Sequence, residues 1–152
     1  MLHPILSLRA LGLGARRYIK GLESAMIQMA AFHGMNAWPG DPGETSMWVG
    51  VRKIGAIAVR ISFEFTCHWL AFNIDPNLRY FKQIMSCGIT RKQVTSLRRE
   101  VGDGVELPAG EVIHDQLVEC LARTLGFTDV EFRDDSECGN SIGAAAAAAP
   151  QS

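Results

Sequence analysis

Residues 47–61 read MWVGVRKIGAIAVRI, and this stretch decides the fold. Two apolar runs, 47–51 and 54–61, stand on either side of a short basic turn, a pattern that predicts two neighbouring strands. In the second run Ile57, Val59 and Ile61 recur at every other position, so they are expected to share one face of a sheet. Lys53 is then predicted to lie where the chain enters the second strand.

Helical periodicity appears upstream and downstream of this pair of strands. Apolar residues spaced by three and four predict one helix that ends at Gly34 and a second that ends at Gly126. The stripes are Ala15, Ile19, Leu22, Met26 and Met29 in the first helix, and Ile113, Leu117, Leu121 and Leu125 in the second. Gly21 falls inside the first helix, where it costs up to about 1 kcal/mol relative to alanine unless a close packing contact requires it.

Shorter elements are expected between and after these helices. A third strand is predicted over 69–74, ended by Asp75 and Pro76, and one or two helical turns over 78–85. The segment 90–93, TRKQ, has the spacing of a capping box and predicts a helix that begins just after Cys87. Val130 and Phe132 are expected in a last short strand. The composition then predicts one domain over 1–133 and a disordered tail over 134–152.

Composition narrows the class of protein. A chain of 152 residues with 47% hydrophobic and 20% charged residues is long enough for one globular domain with a real core. A net charge of −1 gives no broad attraction to nucleic acid or to an anionic membrane. No apolar run approaches the ~20 residues of a spanning helix, so neither nucleic acid nor membrane is an expected partner. The widely spaced cysteines predict reduced thiols.

Two groups of basic residues, one in the first 22 residues and one between 91 and 99, each allow two interpretations. The first 22 residues carry four basic side chains and no acidic one before Glu23, which is typical of a mitochondrial presequence and equally of a strand followed by a helix. Further along, Arg91, Lys92, Arg98 and Arg99 are too few for a nucleic-acid stripe. They could guide an acidic carrier protein or form a solvated helix face.

Lys53 and Cys87 are candidates for a reactive amine and thiol pair, and each also has a plainer reading. A cysteine among apolar neighbours is usually an inert buried hydrophobe, which applies to Cys87 and equally to Cys67 and Cys120. A lysine beside an arginine is most often a solvated turn residue. His68 beside Cys67 predicts no metal site, since adjacent strand residues point to opposite faces and no further ligands are suitably spaced.

A series of short segments carries a resemblance to a known family. In order they are HPILSLR (3–9), WVG (48–50), RKIGAI (52–57), NIDP (73–76), CGI (87–89), VTSLRRE (94–100) and EVIH (111–114). Through these segments the chain resembles the lipoyl(octanoyl) transferases, above all the plant mitochondrial kind, over about residues 1–133. The resemblance implies an α+β fold with a mixed β-sheet flanked by helices, like the biotin and lipoate protein ligases, and a mitochondrial location.

The resemblance also implies an activity and its partners. The family transfers an octanoyl group from octanoyl-acyl carrier protein to a lysine of a lipoyl domain through a cysteine thioester, the first step of lipoate biosynthesis and protein lipoylation. The acceptors would be lipoyl domains of 2-oxoacid dehydrogenase complexes and the glycine cleavage H protein. No cofactor and no metal is expected.

Site residues follow from the same resemblance. By family position Cys87 would be the nucleophile, and Lys53 would raise its thiolate fraction and move the proton. The slot for the acyl chain is expected from the segments that follow Lys53 and surround His68, which supply Ala56, Ile57, Ala58, His68, Trp69, Leu70, Ala71 and Asn73.

The sequence departs from the family pattern at several points. The family segment RGGxxTxHGPGQ is absent, so an incomplete, N-terminally truncated domain is expected. Ser46, Ala58 and Trp69 replace family glycines, and Ser86 replaces a proline. The indole of Trp69 is expected to crowd the acyl slot, since overpacking a tight site typically costs about 1–3 kcal/mol. The alternative to an active transferase is therefore a weak or inactive relative that only binds acyl carrier or lipoyl domains.

Overall fold

The computed structural model describes residues 1–41, 43–67, 69–82 and 93–133. Three α-helices lie in these ranges: α1 (Ala15–Phe32), α2 (Leu97–Val101) and α3 (Gly110–Leu125). The two long helices confirm the predicted periodicity, and Gly34 and Gly126 follow them with φ of 72° and 87°, a conformation that glycine adopts without strain. None of the described helices is long and apolar enough to cross a membrane.

Seven short strands within the described ranges form two sheets. The strands are β1 (Trp38–Pro39), β2 (Ser46–Val49), β3 (Arg52–Ile57), β4 (Arg60–Ser62), β5 (Phe65–Cys67), β6 (Leu70–Phe72) and β7 (Gln93–Val94). The larger sheet has the antiparallel order β1-β2-β3-β6, and β7 pairs with β3 in the parallel sense. Strands β4 and β5 form a separate hairpin. This mixed sheet with packed helices confirms the predicted α+β class.

The N-terminal segment is part of the domain. Leu2 exchanges two backbone hydrogen bonds of 2.9 Å with Leu70, and the Thr66 hydroxyl accepts from the N–H of Leu6 at 2.9 Å and donates to the Pro4 carbonyl at 3.0 Å. The first 22 residues thus lie along β5 and β6 through isolated bridges, without forming the strand expected over 4–8, and then enter α1.

Three local predictions are wrong. The second strand ends at Ile57 and does not continue to Ile61, because the chain turns into the β4–β5 hairpin, whose tip residues Phe63 and Glu64 have φ of 48° and 74°. Gln93 lies in β7 and not in a helical turn, since it pairs with Arg52. No strand forms around Val130 and Phe132, where the described chain is irregular.

The remaining differences concern the edges of elements. The third strand is shorter than predicted, Leu70–Phe72, and the helical turns over 78–85 reduce to one 3₁₀ turn, Tyr80–Lys82, among the residues described there. In α1 the buried stripe starts at Tyr18, and Ala15 is exposed. The predicted tail over 134–152 lies outside the described residues.

Helix α1 packs against the sheet on one side and against α3 on the other. On the α3 side, a Cβ at Gly21 would lie 2.9 Å from Cδ2 of Leu125, so a close contact explains a glycine within the helix. On the sheet side, a Cβ at Gly55 would lie 2.3 Å from Cε of the fully buried Met26 and 2.8 Å from the carbonyl oxygen of Ala71. Gly55 thus sets how closely α1 and β6 approach β3.

Replacing Gly55 by alanine is expected to lower the free energy of unfolding by about 1–3 kcal/mol, because the added methyl group overpacks a closed site. Chemical denaturation measures the loss. Gly104→Ala is the matched control, since no heavy atom lies within 4 Å of its ideal Cβ. An equal loss in both variants would show that the contact with Met26 and Ala71 is not the cause.

Candidate functional site

Lys53 is the second residue of β3 and is half-buried. It pairs with Trp48 on β2 and with Val94 on β7. Its carbonyl oxygen accepts a hydrogen bond of 2.8 Å from the N–H of Thr95. Within the described ranges, no hydrogen-bond or ion-pair partner engages its ammonium group. The main chain of Lys53 is therefore fixed on two sides, while its amine has no partner among the described residues.

A β-bulge beside Lys53 decides which way that amine points. Met47 pairs with Gly55 and Trp48 pairs with Lys53, so Ile54 is one extra residue in β3. Directly paired residues share a face of a sheet, and successive residues alternate. Since Met47 and Gly55 face α1, Trp48 and its partner Lys53 lie on the opposite face. Without the bulge, Lys53 would share the face of Gly55 and point toward α1.

The same face carries the small residues predicted to line the acyl slot. Ala56 pairs with Ala71, and Ala58 donates its N–H to the Trp69 carbonyl at 2.8 Å. We call this surface, opposite α1, the far face of the sheet. On β3, β6 and the residues next to them it carries Lys53, Ala56, Ala58, Trp69, Ala71 and Asn73, which are partly exposed. On β2 the same face carries Ser46 and Trp48, which are buried. The exposed part of the far face thus joins an amine to a mainly apolar surface.

Ile57 and Leu70 belong to the other face. They pair with each other, are 3% and 0% exposed, and lie in the core that includes α1. Their register therefore places them behind the small residues rather than beside Lys53. They therefore do not lie on the same surface as Ala56 and Ala71, where the acyl slot was predicted.

Asn73 joins three elements through its backbone and side chain. Its N–H donates to the Ile54 carbonyl at 2.9 Å and its Nδ2 donates to the Thr95 carbonyl at 3.0 Å. Its own carbonyl accepts from the N–H of Leu97 at 2.8 Å. The three bonds thus tie the end of β6 to β3, to the residue that follows β7 and to the start of α2.

Two of the predicted site residues, Cys87 and His68, lie outside the described residues, as does Ser86. The other cysteines fall in contrasting environments. Cys120 is buried, and burial raises the pKa of its thiol, in keeping with an inert core residue. Cys67 is exposed and not buried as the plain reading expected, because it lies on the outward side of the β5 strand. Among the described residues, no group of three or more potential ligands could hold a metal ion.

Sequence reasoning missed an ion-pair network that adjoins Lys53. Nε and Nη2 of Arg52 donate to the two carboxylate oxygens of Glu100, each at 2.8 Å, and the hydroxyl of the fully buried Thr95 donates to the same carboxylate. The hydrogen bonds from the Arg52 guanidinium have the largest effect on the pKa of Glu100 and lower it. Burial raises this pKa and the Thr95 hydroxyl lowers it, so the pKa of Glu100 lies below its ordinary value. Glu100 likewise raises the pKa of Arg52. The sequence shows basic residues at 52–53 and the segment RRE at 98–100, but it does not show which of these charged residues contact each other.

Glu100→Gln is expected to lower the free energy of unfolding at neutral pH by about 1.5–3 kcal/mol, the usual contribution of a hydrogen bond to a charged group. Because folding lowers the pKa of Glu100, this stabilisation is present above the ordinary value of 4.5 and is lost as the pH falls through the folded-state pKa. Denaturation of both proteins from pH 7 to pH 3 measures the difference. A difference that stays constant below pH 4.5 would contradict the ionic origin.

The fold and this site define a class of protein: an α+β domain with a lysine beside a mainly apolar sheet face. Lipoate-protein ligase A, in a crystal structure with ATP, has the same fold, with a TM-score of 0.61 and 18% identity over 80% of this chain and 49% of its own. The model of the lipoyl protein ligase A/B catalytic domain matches residues 1–123, and the chain belongs to this family of enzymes. Family membership and fold were both predicted from the sequence and are confirmed.

Two curated relatives are octanoyltransferases. The mitochondrial octanoyltransferase of Arabidopsis thaliana is 53% identical over 135 residues, which cover 89% of this chain and 57% of the relative. The human mitochondrial octanoyl-[acyl-carrier-protein]:protein N-octanoyltransferase is 38% identical over 100 residues, covering 65% of this chain and 43% of the relative. The chain thus spans about half the length of the curated relatives that it matches.

Proposed function

We propose that this chain carries the acyl-transfer site of a mitochondrial octanoyltransferase. The donor is octanoyl-acyl carrier protein, and the acceptors are lysines of lipoyl domains in 2-oxoacid dehydrogenase complexes and the glycine cleavage H protein. The names of the two relatives support the octanoyl group, the carrier and the location. The observation that carries the proposal is the bulge at Ile54, which places Lys53 on the far face, where no described residue pairs with its amine.

Cys87 acts as the nucleophile in this proposal. Its thiolate attacks the thioester carbon of the donor, and the carrier thiolate leaves and takes a proton. The acceptor amine then attacks the new thioester, an amide forms, and the Cys87 thiolate is released. A free thiol with a pKa near 8.5 is only a few per cent thiolate at neutral pH. The positive charge of Lys53 favours the thiolate, and its ammonium supplies and recovers the proton.

The far face provides the surface for the acyl chain. An eight-carbon chain gains about 0.8 kcal/mol for each methylene that it removes from water, so it needs a continuous apolar bed. The methyl groups of Ala56, Ala58 and Ala71 are proposed to form such a bed on the face that carries Lys53. Asn73 would border the slot, Ile57 and Leu70 lie behind it in the core, and His68 is assigned to it by family position alone.

Incubation with octanoyl-acyl carrier protein is expected to add one octanoyl group to Cys87, located by peptide mass spectrometry. Cys87→Ser should abolish transfer to a lipoyl domain, and Lys53→Met should slow formation of the thioester by about 10²–10⁴-fold, the range of general acid–base effects. Cys67→Ser is the matched control, because Cys67 is an exposed thiol on β5. Transfer that persists in Cys87→Ser would overturn the nucleophile assignment.

A second candidate function, binding of acyl carrier or lipoyl domains with weak or no turnover, is favoured by Trp69. Its half-buried indole stands opposite Ala58 on the far face, where a long acyl chain would lie. The two candidate functions differ in their preference for acyl-chain length, because a slot obstructed by the indole would accept short acyl chains better than long ones.

Trp69→Gly is expected to raise kcat/KM for octanoyl relative to butanoyl donors by about 10- to 200-fold, the discrimination that a change in pocket length typically gives. Phe63→Ala is the control, since Phe63 is 93% exposed at the tip of the β4–β5 hairpin. An unchanged chain-length preference would show that the indole lies outside the slot. Absence of any acyl-enzyme in both proteins would favour the binding role.

A further inference from the structure

We propose that Arg52, Glu100 and Thr95 form a clamp that positions Lys53 for the acyl-transfer reaction. This inference rests on the proposed function for its catalytic meaning, although the clamp itself can be tested without an acyl donor. None of the three residues is proposed to touch the substrate. They act on Lys53 through its main chain and through the charge beside it.

The first support is the arrangement of hydrogen bonds around Thr95, which is fully buried. Its N–H donates to the Lys53 carbonyl at 2.8 Å, its carbonyl accepts from Nδ2 of Asn73 at 3.0 Å, and its hydroxyl donates to Glu100. One residue therefore links the lysine, the end of β6 and the acidic partner of Arg52. Movement of Glu100 is transmitted to the Lys53 peptide through a single side chain.

The second support is the strength of the anchor at Glu100. A guanidinium fork with two equal bonds of 2.8 Å is the geometry in which arginine binds carboxylates most strongly. The Glu100 side chain is 11% exposed and that of Arg52 is 34% exposed, so solvent screens the pair less than a surface pair. Since α2 has only five residues, it depends on such contacts for its position.

The third support is the division of roles between two adjacent cations. Arg52 and Lys53 are neighbours, yet only Arg52 pairs with a carboxylate in the described part of the chain. The oxygens of Glu100 are occupied by the guanidinium and the Thr95 hydroxyl, so they do not attract the lysine amine. The clamp thus keeps Lys53 apart from Glu100 and holds the bulge at Ile54 that turns it to the far face.

The direct test measures the reactivity of Lys53 in the full chain without any partner protein. Acetic anhydride modifies accessible amines, and peptide mass spectrometry compares Lys53 with the exposed Lys20 of the same molecule. Glu100→Gln and Thr95→Val are expected to raise the Lys53-to-Lys20 ratio by on the order of tenfold, because the half-buried segment opens more often. Thr95→Ser keeps the hydroxyl and should retain the wild-type ratio.

Glu131→Gln is the matched control for the loss of a charged pair. Glu131 also receives a two-bond fork from Arg133, at 3.0 Å each, but both side chains are exposed and the pair lies beyond α3. Its substitution should leave the ratio unchanged. A ratio in Glu100→Gln and Thr95→Val equal to that of the wild type, with only stability reduced, would overturn the clamp and leave the network a structural one.

Kinetics connect the clamp to the reaction. Misplacement of a catalytic group by about 1 Å can cost on the order of 100-fold, so Thr95→Val is expected to lower kcat for Cys87 acylation by 10- to 100-fold with KM for the carrier little changed. Thr95→Ser should restore the rate. If the wild type takes up no octanoyl group, the proposed function fails, and the acetylation ratio still decides whether the clamp exists. A normal kcat in Thr95→Val would refute the positioning role.

Discussion

The absence of a side chain at Gly55 is the constraint on which the rest of the structure depends. Helix α1 and the backbone of β6 both approach β3 so closely at this point that even a methyl group would collide with Met26 and with the Ala71 carbonyl. Interiors packed at this density do not absorb extra volume without displacing their neighbours. The contact therefore fixes the α1 side of the sheet as the core, with the far face outside it.

A single irregularity then divides β3 into two parts with different tasks. From Gly55 to Ile57 the strand alternates regularly and pairs with β6, which buries Ile57 and presents Ala56. Before Gly55 the extra residue Ile54 shifts the register, and the strand pairs with β7 instead. The regular part packs against the core and the bulged part turns Lys53 to the far face, so Lys53 gains its orientation without disturbing the packing of α1.

The sequence predicted what depends on local periodicity and on long matches to a family. Helices α1 and α3, the hairpin β2–β3, the position of Lys53 at the start of β3 and the α+β class all followed from such patterns. The β4–β5 hairpin did not, because its turn residues Phe63 and Glu64 are not the asparagine and glycine that usually mark such turns. The bulge at Ile54 was equally hidden, since register depends on the partner strand. The contact between Arg52 and Glu100 joins residues 48 positions apart and depends on β7 and α2, which periodicity did not reveal.

The neighbouring residues Arg52 and Lys53 have different roles in β3: one anchors the main chain, and the other presents its amine. Successive residues of a strand point to opposite faces, so the two side chains leave β3 on different sides. Glu100 pairs with the arginine, and the Thr95 hydroxyl donates to the same carboxylate. The ion pair therefore anchors the main chain of β3, while Lys53, which has no carboxylate partner in the described part of the chain, lies on the far face.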